Sequence, residues 1–193
     1  MKYKIGVFGS GGSKVSAKAV QESARQLGAI LGNHAKEVII VTGGCTGLPY
    51  AAAQEAAKSG TEVWGYSPVF NMDEQRQFTP NDNLGIYTKL EFVSPDTPLP
   101  DIQRVRMKFR NVLSTAACDA GIIISGQWGS LNEFTNLVDM QKVVGVLTGT
   151  GGVADELPVL CEKIVKEGQG TVVFNDDPEA LVKEVLSLLE ATN

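Results

Sequence analysis

Short β-branched apolar runs alternate with segments of helical period along this chain, and that alternation constrains its fold more than any other feature. The runs are Tyr3 to Gly9, Glu37 to Thr42, Glu62 to Tyr66, Ala120 to Ser125, Val143 to Thr148 and Thr171 to Phe174. Helical spacing fills Val15 to Leu31, Leu48 to Ser59, Ile102 to Ala117, Leu131 to Gln141, Val153 to Lys166 and Pro178 to Glu190. A helix between two strands carries the chain back along the sheet face, so the strands pair in parallel and both faces are covered. The expectation is an α/β protein with a mainly parallel sheet of roughly five or six strands. Pro178 behind Asp176 and Asp177 reads as the first residue of a helix, while Gly60 and Gly168 stand where helices stop.

At 193 residues a single domain over 1–193 is expected. The irregular stretch 67–100 holds five of the eight prolines and the turn cluster Asn81, Asp82, Asn83, and is too long for an ordinary connection. It reads as a lid-like insertion or a small hairpin, with Ile86 to Val93 as an extra strand.

Glycine clusters follow four of the apolar runs: Gly9, Gly11 and Gly12; Gly43, Gly44 and Gly47; Gly126 and Gly129; Gly149, Gly151 and Gly152. In a parallel sheet these positions share the carboxyl edge, where ligands bind. Glycine lets backbone approach a ligand, and the next helix offers N–H groups and a partial positive charge, so an anion such as a phosphate or nucleotide fits there. The stretch Gly9 to Lys14 lacks the third glycine of a dinucleotide fingerprint, and no GxxxxGK[ST] occurs, so neither a hydride-transfer enzyme nor a P-loop NTPase is supported, and both stay as minor alternatives.

Lys+Arg 17 against Asp+Glu 22 gives a formal charge of -5. Without clustered, unneutralised cations no attraction to nucleic acid or anionic membrane is expected. No apolar run is long enough to cross a bilayer, which points to a cytoplasmic protein. Cys45, Cys118 and Cys161 are widely spaced, as reduced thiols are, and the lone His34 falls in a helix-to-strand turn, so no metal site is expected.

The densest chemistry lies in Gly126-Gln127-Trp128-Gly129-Ser130-Leu131-Asn132-Glu133, which follows a strand and opens a helix. Gly126 to Ser130 would form a phosphate turn with Ser130 as the helix cap. Glu133 then lies in the first helical turn, either as a capping-box partner of Ser130 or as a carboxylate beside the phosphate, able to stabilise a sugar cation or position a water. Upstream, Arg104, Arg106, Lys108 and Arg110 place four cations in seven residues. Arg106 and Arg110 would share a helix face, either solvated or turned into the cleft. Trp128, inside the glycine turn, is either packing or a surface for a base.

The order of these motifs resembles the Lonely Guy (LOG) branch of the SLOG superfamily. Ser125 to Glu133 is similar to its PGGxGTxxE marker, Met107-Lys108-Phe109-Arg110-Asn111 to its MxxRK helix, Thr42 to Leu48 to its GGGxxGLM segment, and Gly65-Tyr66-Ser67-Pro68 to its GVxP strand end. Val7 to Gly12 resembles its opening strand and turn. The resemblance implies a Rossmann-like three-layer αβα sandwich, a homo-oligomer built from dimers, and no cofactor. It implies hydrolysis of a nucleoside 5'-monophosphate, of the AMP or cytokinin-riboside-monophosphate type, to free base and ribose 5-phosphate. Glu133 and Arg110 match the catalytic pair; Gly126, Gly129 and Ser130 match the phosphate loop; Gly43, Gly44 and Gly47 match the second glycine loop, and Gly9 and Ser10 the first.

Ser125, Gln127, Asn111, Cys45 and Pro49 depart from those motifs. The Arg-Asn pair followed by this loop is also similar to the molybdenum-cofactor carrier-like branch, which implies a non-catalytic nucleotide or cofactor carrier. A nucleotide sensor with 67–100 as its interface is a third reading. A pyridoxal-phosphate decarboxylase is discarded, because no lysine stands in a Schiff-base motif.

Overall fold

The computed structural model describes residues 2–11 and 17–191; Gly12 of the first glycine cluster and the expected helix start at Val15 lie outside them. The strands are β1 (Tyr3–Gly9), β2 (Val38–Thr42), β3 (Glu62–Ser67), β4 (Lys89–Phe92), β5 (Ala120–Ile124), β6 (Val143–Leu147) and β7 (Val172–Asn175). The helices are α1 (Lys18–Asn33), α2 (Leu48–Ala57), α3 (Met72–Phe78), α4 (Gln103–Ala116), α5 (Trp128–Asp139), α6 (Val153–Lys163) and α7 (Pro178–Ala191). The seven strands form one sheet in the order β4-β3-β2-β1-β5-β6-β7, and every pairing is parallel. The fold is thus the expected Rossmann-like three-layer sandwich, with more strands than the expected five or six.

Parity along the central strands builds the two core layers. Ile122 and Ile124 of β5 face the layer of Leu27, Ala52 and Leu181, from α1, α2 and α7, while Ile123 between them faces Phe134, Leu137 and Leu157 of α5 and α6. Both sides of β5 are buried, which is why its sequence is apolar without alternation. Pro178 does open α7, and the Asp177 carboxylate accepts from the Ala180 N–H at 2.8 Å.

The stretch 67–100 differs from the hairpin reading. Its strand β4 pairs in parallel with β3, because α3 and a 3-10 turn at Leu84–Ile86 return the chain to the amino edge of the sheet first. Asn71 caps α3 by accepting from the Glu74 N–H at 3.0 Å, and the Glu74 carboxylate accepts from the Phe70 N–H at 3.2 Å. This reciprocal capping pair is legible as Asn-x-x-Glu.

Neighbouring β1 and β5 lead into connections on opposite sides of the sheet, so a crevice opens beyond their carboxyl ends. That crevice holds the site described next.

Candidate functional site

Gly9 is paired in register with Ile124, so the residues that follow, Ser10 and Ser125, leave the sheet side by side. Their hydroxyl oxygens are 3.1 Å apart, and Ser10 Oγ accepts from the Gly126 N–H at 3.0 Å. Ser125 adopts φ 52 and Gly126 φ 105, a left-handed pair that reverses the chain within two residues. Helix α5 therefore starts at Trp128, with Gln127 as N-cap in an extended conformation and no side chain capping it. This corrects the expected cap: Ser130 stands inside the first turn and Glu133 one turn further, so Glu133 is no capping-box partner. The first-turn N–H groups of α5 have no acceptor within the helix.

Beyond these loops lies a cavity of about 560 Å³. It brings together Gly9, Ser10, Gly43, Arg110, Gly129, Ser130 and Glu133 from the sequence-derived candidates. Gly44, Gly47 and Gly126 stand behind the wall. The Gly44 carbonyl accepts from Gln75 Nε2 at 3.0 Å, Gly47 bridges to Gly11, and the Gly126 N–H is occupied by Ser10. These three hold the loops to one another.

Arg110 and Glu133 form the buried floor, 7% and 6% exposed, with Arg110 Nη1 3.9 Å from Glu133 Oε1. The guanidinium reaches this place across Gly43: a Cβ there would lie 1.4 Å from Nη1, so only a bare backbone admits it. Burial pushes the Glu133 carboxyl up to about 7, against the pull of Arg110 and then Lys108. Burial also raises the Cys45 thiol, which donates to the Gly43 carbonyl at 3.2 Å.

The basic helix face is rotated from its expected phase. Arg104, Met107, Lys108 and Asn111 line the cavity beside Arg110, whereas Arg106 turns away and lies over the Phe70 ring at 4.4 Å. Trp128 is 82% exposed and lies outside the cavity lining, although its neighbours Gln127 and Gly129 belong to it. Sequence reasoning missed Thr46, Thr79 and Met107. The place of Thr46 in the glycine turn after β2 is a signal for it; Thr79 has none, because it arrives through the packing of α3. His34 lies in its expected turn, with Nδ1 2.9 Å from the Glu37 carboxylate. No helix among the described residues is long and apolar enough to cross a membrane.

The sequence model of the SLOG cluster4 family matches residues 2–182. No curated protein matches the sequence. Among solved structures, the structural-genomics target TM1055 is 19% identical, with 97% of this chain and 99% of that one covered and a TM-score of 0.74. The molybdenum cofactor binding protein from the phototrophic bacterium Rippkaea orientalis is 18% identical, covered at 98% of both chains, with a TM-score of 0.67. DNA processing protein A from Helicobacter pylori, described by its single-stranded DNA binding mode, is 19% identical, with 98% of this chain and 81% of that one covered and a TM-score of 0.62. These likenesses are of fold. They correct one expectation: a net charge of -5 does not exclude nucleic acid for this fold, because a protein built on it binds single-stranded DNA. Net charge averages over the whole surface, while a binding groove depends on the local field.

Proposed function

Because this chain belongs to the SLOG cluster4 family, we propose that its cavity binds a nucleoside 5'-monophosphate and hydrolyses the N-glycosidic bond, releasing free base and ribose 5-phosphate. The observation that carries this reading is the buried Glu133–Arg110 pair on the floor of a cavity whose rim is the uncapped amino end of α5. The phosphate would bind at the first-turn N–H groups near Gly129 and Ser130, with Arg104 and Lys108 supplying positive charge from α4. The ribose then lies over Glu133.

In the chemical step, the bond from the anomeric carbon to the base nitrogen breaks and its electron pair leaves with the base. A water oxygen bonds to that carbon and gives one proton to Glu133, which passes it to the departing base. A carboxyl poised near 7 suits both halves of this transfer at neutral pH. The Glu133 carboxylate also stabilises the developing oxocarbenium charge. Arg110 donates from its guanidinium to a ribose or phosphate oxygen.

A second reading, a carrier that binds a nucleotide or an anionic cofactor as cargo without cleaving it, is favoured by Gln127. This residue puts a side chain at the cavity rim where a bare backbone would approach phosphate more closely. Incubation with a panel of nucleoside monophosphates, AMP first, and chromatographic separation of free base decides between the two. Base release that disappears in Glu133→Gln supports the hydrolase; saturable binding with no release supports the carrier.

A further inference from the structure

Glu133 Oε1 is 3.9 Å from Arg110 Nη1, too long for a hydrogen bond, so the guanidinium supplies field and no fixed direction. A buried carboxyl needs a closer partner. Asn111, one residue further along α4 and 3% exposed, provides it. With its amide turned so that the NH2 group faces the surrounding acceptors, Asn111 donates to Glu133 Oε1 at 3.2 Å and to the Met107 carbonyl at 3.0 Å. Its oxygen then lies 2.9 Å from Asn132 Oδ1, the atom to which the unturned amide donates, so the Asn132 amide must turn with it to present its NH2 group. The two asparagines thereby join α4 to α5 at the level of the carboxyl.

We infer that Asn111 is the positioning residue of this site: its uncharged amide fixes Glu133 Oε1 and leaves Oε2 for a molecule in the cavity. A cation at position 111 would hold Glu133 ionised, whereas an amide orients it at much lower electrostatic cost to the protonated form. The charged and titratable groups facing Glu133 are Arg110 and Lys108 from α4, Cys45 from the turn after β2, and Cys118 after α4. Burial raises both thiols, so they are neutral at pH 7, and Arg110 and Lys108 are the only charges among these four. Asn111 thus adds direction where they add charge.

The inference rests on the reading of Glu133 as an acid–base residue, and its test does not need turnover. Protein carrying 13C-labelled glutamate carboxyls, with the Glu133 signal assigned through Glu133→Gln, is titrated by NMR as wild type, Asn111→Leu and Asn111→Asp. Removing the donor in Asn111→Leu raises the Glu133 midpoint by about one pH unit. The isosteric Asn111→Asp sets a second carboxyl beside it, so the pair titrates together and the upper midpoint rises by more than about one unit. Base release from AMP, where wild type shows it, loses about tenfold or more in kcat in Asn111→Leu at pH 7, with a smaller change in KM. Thermal melts check folding, and the Asp variant carries the test should the Leu variant not fold. A Glu133 midpoint equal to wild type in the folded variants overturns the inference. Shifted midpoints in a protein that releases no base uphold it and overturn the hydrolase reading instead.

Discussion

The Arg110 guanidinium occupies the space that a side chain at position 43 would fill: a Cβ on Gly43 would come within 1.4 Å of Arg110 Nη1 and 2.7 Å of its Cζ. The contact is with the far end of a flexible side chain, so the guanidinium gives way while the backbone stays. Gly43→Ala is therefore expected to melt within a few degrees of wild type yet to lose about tenfold or more in nucleotide affinity or turnover. Parallel thermal melts and AMP titrations check this. A variant with full affinity would mean that Arg110 is not a ligand contact.

Glu133 makes stability fall with rising pH. Its folded value, pushed up to about 7 by burial, exceeds that of an unfolded glutamate near 4.3, so between those limits the folded chain holds the extra proton. The stabilisation is complete below about 4.3 and is lost as pH rises through about 7, a swing on the order of 3 kcal/mol. Glu133→Gln carries no such proton. Losing the partner of Arg110 adds an offset to that variant, but the slope is unaffected. The melting temperature of wild type, measured relative to Glu133→Gln, should fall by several degrees between pH 4.5 and 7.5. A constant difference across that range would show that Glu133 is not buried as a proton-bearing group.

Ser10 ties the first loop to the turn after β5 by accepting from the Gly126 N–H at 3.0 Å. Ser10→Ala leaves that N–H without its acceptor, which costs about 1–3 kcal/mol when the group stays dry. A drop of a few degrees in melting temperature is expected, together with weaker phosphate binding, because the turn leading into α5 loosens. Calorimetric titration with AMP and inorganic phosphate separates the two effects.

How far the sequence reached depends on whether a feature is local. Doubly buried strands such as Ala120–Ile124 are visible as unbroken apolar runs, and the Gly-rich turns mark the carboxyl edge by themselves. The start of α5 is not visible, because the two left-handed residues Ser125 and Gly126 reverse the chain so sharply that the helix begins at Trp128. That shift alone moves Glu133 from a cap to the cavity floor. Arg106 shares a helix face with Arg110 by spacing, yet Phe70 from the 67–100 stretch draws it away. Thr79 reaches the cavity because Gln75, fully buried, bonds at once to the Gly44 carbonyl and to Thr79 Oγ1. That long-range bond has no local signature, although the Asn71–Glu74 pair that starts its helix does.

Phe78 is the half-buried aromatic that α3 presents to the cavity, on the wall that Pro49 and Met107 continue. With phosphate at the amino end of α5, as proposed, this apolar lining would take the base, and we propose that 67–100 sets base preference through it. Stacking on an aromatic ring is worth roughly 1–3 kcal/mol per base, and purines stack more strongly than pyrimidines because their ring area is larger. Phe78→Ala is therefore expected to weaken AMP about tenfold or more and CMP less, narrowing the gap between them, while inorganic phosphate binds as before. Competition titrations of the three against wild type and variant measure it. Equal losses for AMP and phosphate would place Phe78 in support of the phosphate turn rather than of the base.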